Sequence, residues 1–211
     1  ETLRQQLGEI ADVRAAIALL HWDEETYMPA KAVSARAQQL ATLSALAHRM
    51  FTDPKLGCLL EELWVEADKL APTDAKLVEV TRYDYERATK LPEVFVREFA
   101  LVRTQAFEAW VRARKQSDFG LFRPHLEKLV DLLRQKAHLL GYEGSPYDAL
   151  LEGYERGMTA QKLKQLFKEL ASRQKDLVQG ILASSHQCDF HWLEGEWGEA
   201  QKWAFSTEVL K

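Results

Sequence analysis

A chain of 211 residues, 46% hydrophobic and 28% charged, has the composition of a folded protein and not of a disordered one, and it is long enough to bury a sizeable core. Its 28 basic and 32 acidic residues are spread along the whole length for a net charge of −4, so the basic block or stripe of a nucleic-acid binder is missing. No long uncharged apolar run is present, which excludes a transmembrane helix from these residues.

Apolar residues recur at spacings of three and four throughout, the period of a helix packed on one face. The first predicted helix covers about residues 2–22, with Leu3, Leu7, Ile10, Val13, Ile17 and Leu20 on one side. A loop holding Met28 and Pro29 follows. The second helix spans about 32–50, with Val33, Ala37, Leu40, Leu43 and Ala47 inward. Asp53-Pro54 opens a third, since Asp caps and Pro fits the first turn; it carries Leu56, Leu59, Leu60, Leu63 and Trp64. Thr73 is the expected cap of a fourth over about 74–89.

After the break at Leu91-Pro92, a long helix over about 92–115 carries Val94, Phe95, Phe99, Val102, Ala106 and Trp110. Ser117 to Gly120 form a turn. The next helix spans about 122–140, with Leu126, Leu129, Val130, Leu133 and Ala137 inward and Gly141 as its left-handed stop. An irregular stretch, Tyr142 to Pro146, precedes a short helix through Leu150. Thr159 is read as the cap of a helix over about 160–184, with Leu163, Leu166, Phe167, Leu170, Leu177 and Ile181 inward. A loop over about 185–195 leads into a last helix that runs to the end without a stop signal, the pattern expected of a fragment. No stretch alternates as a strand would, and no repeat length recurs. The expected fold is all-α, one continuous region over 1–211 of about eight helices packed antiparallel and at an angle.

Few residues invite chemistry. Residues 1–10 lack the basic-then-apolar order of a secretion signal. Cys58 and Cys188 match no metal or redox spacing, and read as small buried or half-buried side chains in a reducing, cytoplasmic setting. The six histidines, His21, His48, His125, His138, His186 and His191, include no pair four apart, so the His-Glu-x-x-His of a zinc peptidase is absent. The densest set of ligand-type side chains is His186, Cys188, Asp189, His191, Glu194 and Glu196, which reads either as a loop folded round a metal or as an ordinary polar loop. Asp23, Glu24 and Glu25 follow His21-Trp22 where a helix is ending, and negative charge there opposes the helix dipole. They read either as an acidic wall for a cation or a partner arginine, or as a capping Asp23 with two solvated glutamates. Tyr83 to Arg87 with Trp110, Arg112 and Arg114 pair aromatics with arginines, as a base-stacking surface does, but at helical spacing packing and surface ion pairs explain them.

Three stretches carry a resemblance: His21-Trp22-Asp23-Glu24-Glu25-Thr26-Tyr27-Met28-Pro29; Ala106 through Phe119; and Tyr147 to Leu151 with Tyr154-Glu155-Arg156-Gly157-Met158-Thr159. In this order and at this approximate spacing they resemble the N-terminal half of the Taq-type thermostable metallocarboxypeptidases, along nearly all of the chain. The resemblance implies a zincin-like, all-helical fold with a deep groove between two helical halves. It implies a cytoplasmic homodimer that removes residues one at a time from peptide C-termini. It also implies a divalent metal, zinc or cobalt, held by His-Glu-x-x-His and a downstream Glu. Such a metal polarises the scissile carbonyl and activates water, and the motif Glu takes the proton.

The present sequence stops before that motif and before the segments that hold the substrate carboxylate. No catalytic, cofactor-binding or metal-binding residue is therefore assigned in it, and His21 and Glu24 do not stand in for them. The expectation is the groove-covering N-terminal portion of a metallocarboxypeptidase, inactive alone, with part of a dimer contact. Peptide is the expected substrate of the whole protein, with neither nucleic acid nor membrane as partner. The alternatives are a non-enzymatic helical peptide-binding module, a small metal protein using 186–196, and a helical nucleic-acid regulator that the charge balance opposes. An apolar patch at Trp192, Trp197, Trp203 and Phe205 is expected to drive self-association if uncovered.

Overall fold

The computed structural model describes residues 2–184, 189–191 and 194–210. Its described residues form nine α-helices with three short 3-10 turns and no strand: α1 (Thr2–Thr26), α2 (Val33–Phe51), α3 (Pro54–Val65), α4 (Pro72–Ala88), α5 (Glu93–Gln116), α6 (Arg123–Leu140), α7 (Pro146–Leu151), α8 (Ala160–Ala183) and α9 (Glu199–Val209). They fall into two compact units, Glu1–Ala160 and Gln161–Lys211.

The helix ends follow local chemistry. The Asp53 carboxylate accepts the Lys55 N–H at 2.8 Å, with Pro54 in the first turn, as the sequence predicts. Helix α4 starts earlier than predicted: Pro72 occupies the first turn, with its φ preset and no N–H to satisfy, so Thr73 lies inside the helix instead of capping it. Ser145 and Asp148 form a capping box on α7, and the Asp148 carboxylate also accepts the Ala160 N–H at 2.7 Å. Gly141 takes positive φ (81°) where α6 stops.

In the first unit the most extensive packing joins α2 to α5. Arg49–Glu93 (3.4 Å) and Arg97–Thr42 (3.2 Å) set the two helices antiparallel. Small side chains are buried on both helices: Ala37, Ala41 and Ala45 on α2, and Ala106, Ala109 and Ala113 on α5. On one flank, Leu3 and Ile10 of α1 pack with Phe51, Leu56, Leu60 and Val78. On the other, Phe95 and Val102 of α5 meet Leu132 of α6, and Ala137, Leu140 and Ala149 join α6 to α7. Gly57 on α3 leaves room for the Tyr85 ring, whose hydroxyl stands 2.5 Å from where a Cβ would lie.

Several inward assignments need correction. On α6 the predicted Ala137 is fully buried and Leu129, Val130 and Leu133 are half-buried, but Leu126 is exposed and the fully buried Leu132 lies outside the predicted set. Val94 lies on the outer side of α5, 77% exposed. Cys58 is exposed, not buried; Cys188 lies outside the described residues. In the second unit, Leu166, Phe167, Leu170, Leu177 and Ile181 of α8 are exposed, as are Trp203 and Phe205 of α9. The periodicity of α8 is as predicted, but the described residues supply no cover for its apolar face. Trp192, in the same predicted patch, lies outside the described residues. No helix among the described residues is long and apolar enough to cross a membrane.

Ala109 of α5 is fully buried, so a larger side chain there meets packed neighbours instead of solvent. Ala109→Leu is expected to lower unfolding stability by about 2 kcal/mol or more. Thr104, buried on the same helix, has a hydroxyl without a hydrogen-bond partner among the described residues, so Thr104→Val is expected to raise stability by about 1 kcal/mol. Denaturant midpoints measured on both variants check the two signs.

Candidate functional site

The acidic stretch lies on helix, not beyond it. α1 continues through Thr26, whose hydroxyl donates to the Trp22 carbonyl at 2.7 Å, and the Asp23 carbonyl takes the N–H groups of Tyr27 and Met28. The unfavourable charge at this helix end is offset by Arg36 at the start of α2. Its guanidinium donates to Asp23 Oδ2 at 2.6 Å and to the Leu20 carbonyl at 2.7 Å, so it serves both the acid and the backbone of the last turns of α1. The arginine expected as a partner thus comes from the chain itself, and the Asp23 carboxylate is engaged there instead of capping a new turn. Glu25 faces water as expected, but Glu24 does not: its side chain is 5% exposed. One Glu24 oxygen is 3.1 Å from His21 Nδ1, and the other has no hydrogen-bond partner among the described residues.

His21 also faces a cavity of about 320 Å³ between α1, α2, α5 and α6. Leu91, Phe95 and Phe99 give it apolar walls, and Ser44, His48, Arg103 and Lys136 bring polar groups to it. The His48 Nε2–H donates to the Leu91 carbonyl at 2.8 Å, which fixes that ring. Lys136 Nζ lies 5.7 Å from the Phe99 ring centre, and Phe99 in turn packs on Phe95 at 6.0 Å. Burial, and then the positive charge of Arg87, hold the Lys136 amine below its ordinary pKa. Sequence reading missed this cavity because four separate helices contribute to it and no short motif spans them.

A second cluster ties α4 to the segment after α7. Tyr83 donates to the Glu152 carboxylate, whose other oxygen accepts the Gly157 N–H at 2.9 Å. Arg156 stacks 3.6 Å from the Tyr83 ring centre and reaches Asp84 at 3.3 Å. Arg87 flanks the same ring and donates to the Ala149 carbonyl. Burial and then the bond to Glu152 push the Tyr83 hydroxyl up, while that same bond leads the causes holding Glu152 below the usual carboxylate range. Trp110 packs with Phe107 and Arg114, and Arg112 pairs with Glu108. The aromatic–arginine set is therefore packing and ion pairing, as its spacing indicates.

In the second unit, the backbone N–H of His191 donates to the Asp189 carboxylate at 2.9 Å, and the ring Nδ1 lies 3.1 Å from Glu194. His186 and Cys188 lie outside the described residues. Among the described residues no three His, Cys, Asp or Glu side chains are placed to share an ion.

A sequence model of the carboxypeptidase Taq (M32) metallopeptidases matches residues 2–211. Carboxypeptidase 1 of Bacillus subtilis is 34% identical over 183 residues, 87% of this chain and 36% of that protein. Thermostable carboxypeptidase 1 of Thermus thermophilus is 36% identical, over 96% of this chain and 42% of that protein. The crystal structure of BsuCP superposes with a TM-score of 0.91 at 31% identity, covering 100% of this chain and 43% of that one. The chain thus spans about two fifths of the length of the curated relatives it matches.

The Tyr83–Glu152 bond sets an acid and an alkaline limit. Glu152 is depressed, so its contribution to stability is complete above its unfolded pKa and lost as pH falls through the folded one. Tyr83 is raised, so its share is complete below its unfolded pKa and lost as pH rises through the folded one. Tyr83→Phe is expected to lower stability at neutral pH and to flatten both limbs, which unfolding midpoints measured across pH check.

Proposed function

The chain belongs to the carboxypeptidase Taq (M32) metallopeptidase family, and on that premise we propose that it is the N-terminal helical portion of a metal-dependent carboxypeptidase that releases residues from peptide C-termini. The observation that carries this reading is the pairing of two facts. The family match runs over residues 2–211, and those residues hold no His-Glu-x-x-His. The side chains present do not fit a catalytic metal: the His21–Glu24 pair has one buried oxygen to spare but no third donor, and the described part of the 186–196 loop offers no three-ligand group. No hydrolytic step is therefore assigned to this chain's own residues, and its role in the whole protein is to wall the substrate groove.

The same reading places the whole protein in the cytoplasm as a homodimer with zinc or cobalt as its divalent metal and peptide as its substrate. The uncovered apolar face of α8 supports a chain that has further protein to pack against. The 211-residue chain, incubated with N-blocked peptides and added zinc or cobalt, is expected to release no C-terminal residue. The full-length protein is expected to release it from free-acid peptides but not from C-terminally amidated ones, and to stop on chelation. Chelator-sensitive release by the 211-residue chain would overturn the assignment of inactivity. A full-length product that binds peptide without cleaving it would replace the enzyme with a peptide-binding module.

A further inference from the structure

The cavity between α1, α2, α5 and α6 is lined by Arg103 and Lys136 but by no aspartate or glutamate. Acids are plentiful elsewhere in this unit, and nearby they are already engaged: Asp23 by Arg36, Glu24 by His21, Glu93 by Arg49. Among the described residues neither Arg103 nor Lys136 has an acidic partner. Lys136 is the telling group. It is partly buried against Phe99, and burial together with Arg87 makes its charge costly to hold. An apolar side chain of the same length would fill this place at lower cost, so a lysine here is accounted for by an anion that it meets.

The remaining walls say what kind of anion. Leu91, Phe95 and Phe99 present apolar surface, and the Ser44 hydroxyl is the small polar group among them. The volume, about 320 Å³, matches the low end of ligand cavities, which start at about 300 Å³. The apolar walls favour an anion that carries an apolar tail over a bare, strongly hydrated phosphate, which would leave Phe95 and Phe99 facing its water shell.

We propose that this cavity binds a monocarboxylate with an apolar tail, its carboxylate held by Lys136 and Arg103 and its tail lying on Phe95 and Phe99. Two sources share that chemistry, a free aryl or alkyl acid and the terminal carboxylate of a peptide ending in an apolar residue. The site stands independently of the peptidase reading, because none of its residues is asked to perform hydrolysis.

Titration of the 211-residue chain with 3-phenylpropionate, followed by calorimetry and by chemical-shift perturbation, tests it. The acid is expected to bind, and its neutral analogue 3-phenylpropanamide to bind about tenfold more weakly or worse. Lys136→Met is expected to lose binding of the acid while its thermal midpoint rises, so the loss is not a failure to fold. Arg103→Gln is expected to weaken binding with the midpoint unchanged. Equal binding of acid and amide, unchanged binding by Lys136→Met, or displacement of the acid by equimolar inorganic phosphate would each overturn the proposal. So would the absence of binding by the acid. A free-acid peptide ending in Phe that competes with 3-phenylpropionate, when its amidated form does not, supports the site with a peptide terminus as its source. Binding of the small acid alone supports it with a free acid as the source.

Discussion

The close approach of α2 and α5 is the constraint on which the rest of this unit depends. Two helices approach closely only when the side chains between them are small, and both helices bury alanines here, Ala37, Ala41 and Ala45 on α2 and Ala106, Ala109 and Ala113 on α5. Small residues bury little area each, so the seam supplies geometry more than hydrophobic free energy. The larger apolar side chains lie on its flanks, where Phe51, Leu56 and Leu60 meet α1 and where Phe95 and Val102 meet Leu132. The polar cavity opens beside the same pair of helices: Ser44 and His48 come from α2, Phe95 to Arg103 from α5. A shift of one helix along the other would displace one half of its wall against the other.

Electrostatics is arranged unevenly over this frame. Acids of this unit have partners from the chain: Arg36 for Asp23 at the end of α1, Tyr83 and the Gly157 N–H for Glu152 at the end of α7, and two backbone N–H groups for Asp148 in the capping box. These acids hold elements together and leave little charge to spare. Among the described residues Arg103 and Lys136 lack acidic partners, and Glu24 keeps one oxygen unmatched. The distinction separates the polar groups that build this unit from those that remain for something else to meet.

Much of the fold was legible in the sequence because bulky apolar residues mark helix faces by period. The faces of α1, α2 and α3 follow from their leucines and isoleucines, and the caps at Asp53 and Gly141 from local chemistry. Alanine carries no such mark: Ala41, Ala45, Ala109 and Ala113 look the same at a surface and in a seam, so the central contact was missed while Ala37 and Ala106 were caught by their place in the pattern. On α6 the face is legible except at Leu126, which is exposed, and Leu132, whose full burial its spacing does not mark. The three family-like stretches were readable as strings, but what they do was not. The acids after Trp22 required Arg36, thirteen residues away from Asp23, and Glu152 required Tyr83 from another helix. Spacing in one segment cannot reveal a partner in another.

The α2–α5 pairing also bears on how the chain comes into being. During synthesis α2 emerges well before α5, and the face it turns to α5 has no partner until that helix follows. In the interval α3 and α4 can pair with one another, being neighbours in sequence and in space. The central seam therefore closes around a hairpin already made, and the sequence-distant step comes after the local one. Until then the nascent chain presents a narrow, weakly apolar stripe instead of a broad greasy one, which gives wrong partners little to hold.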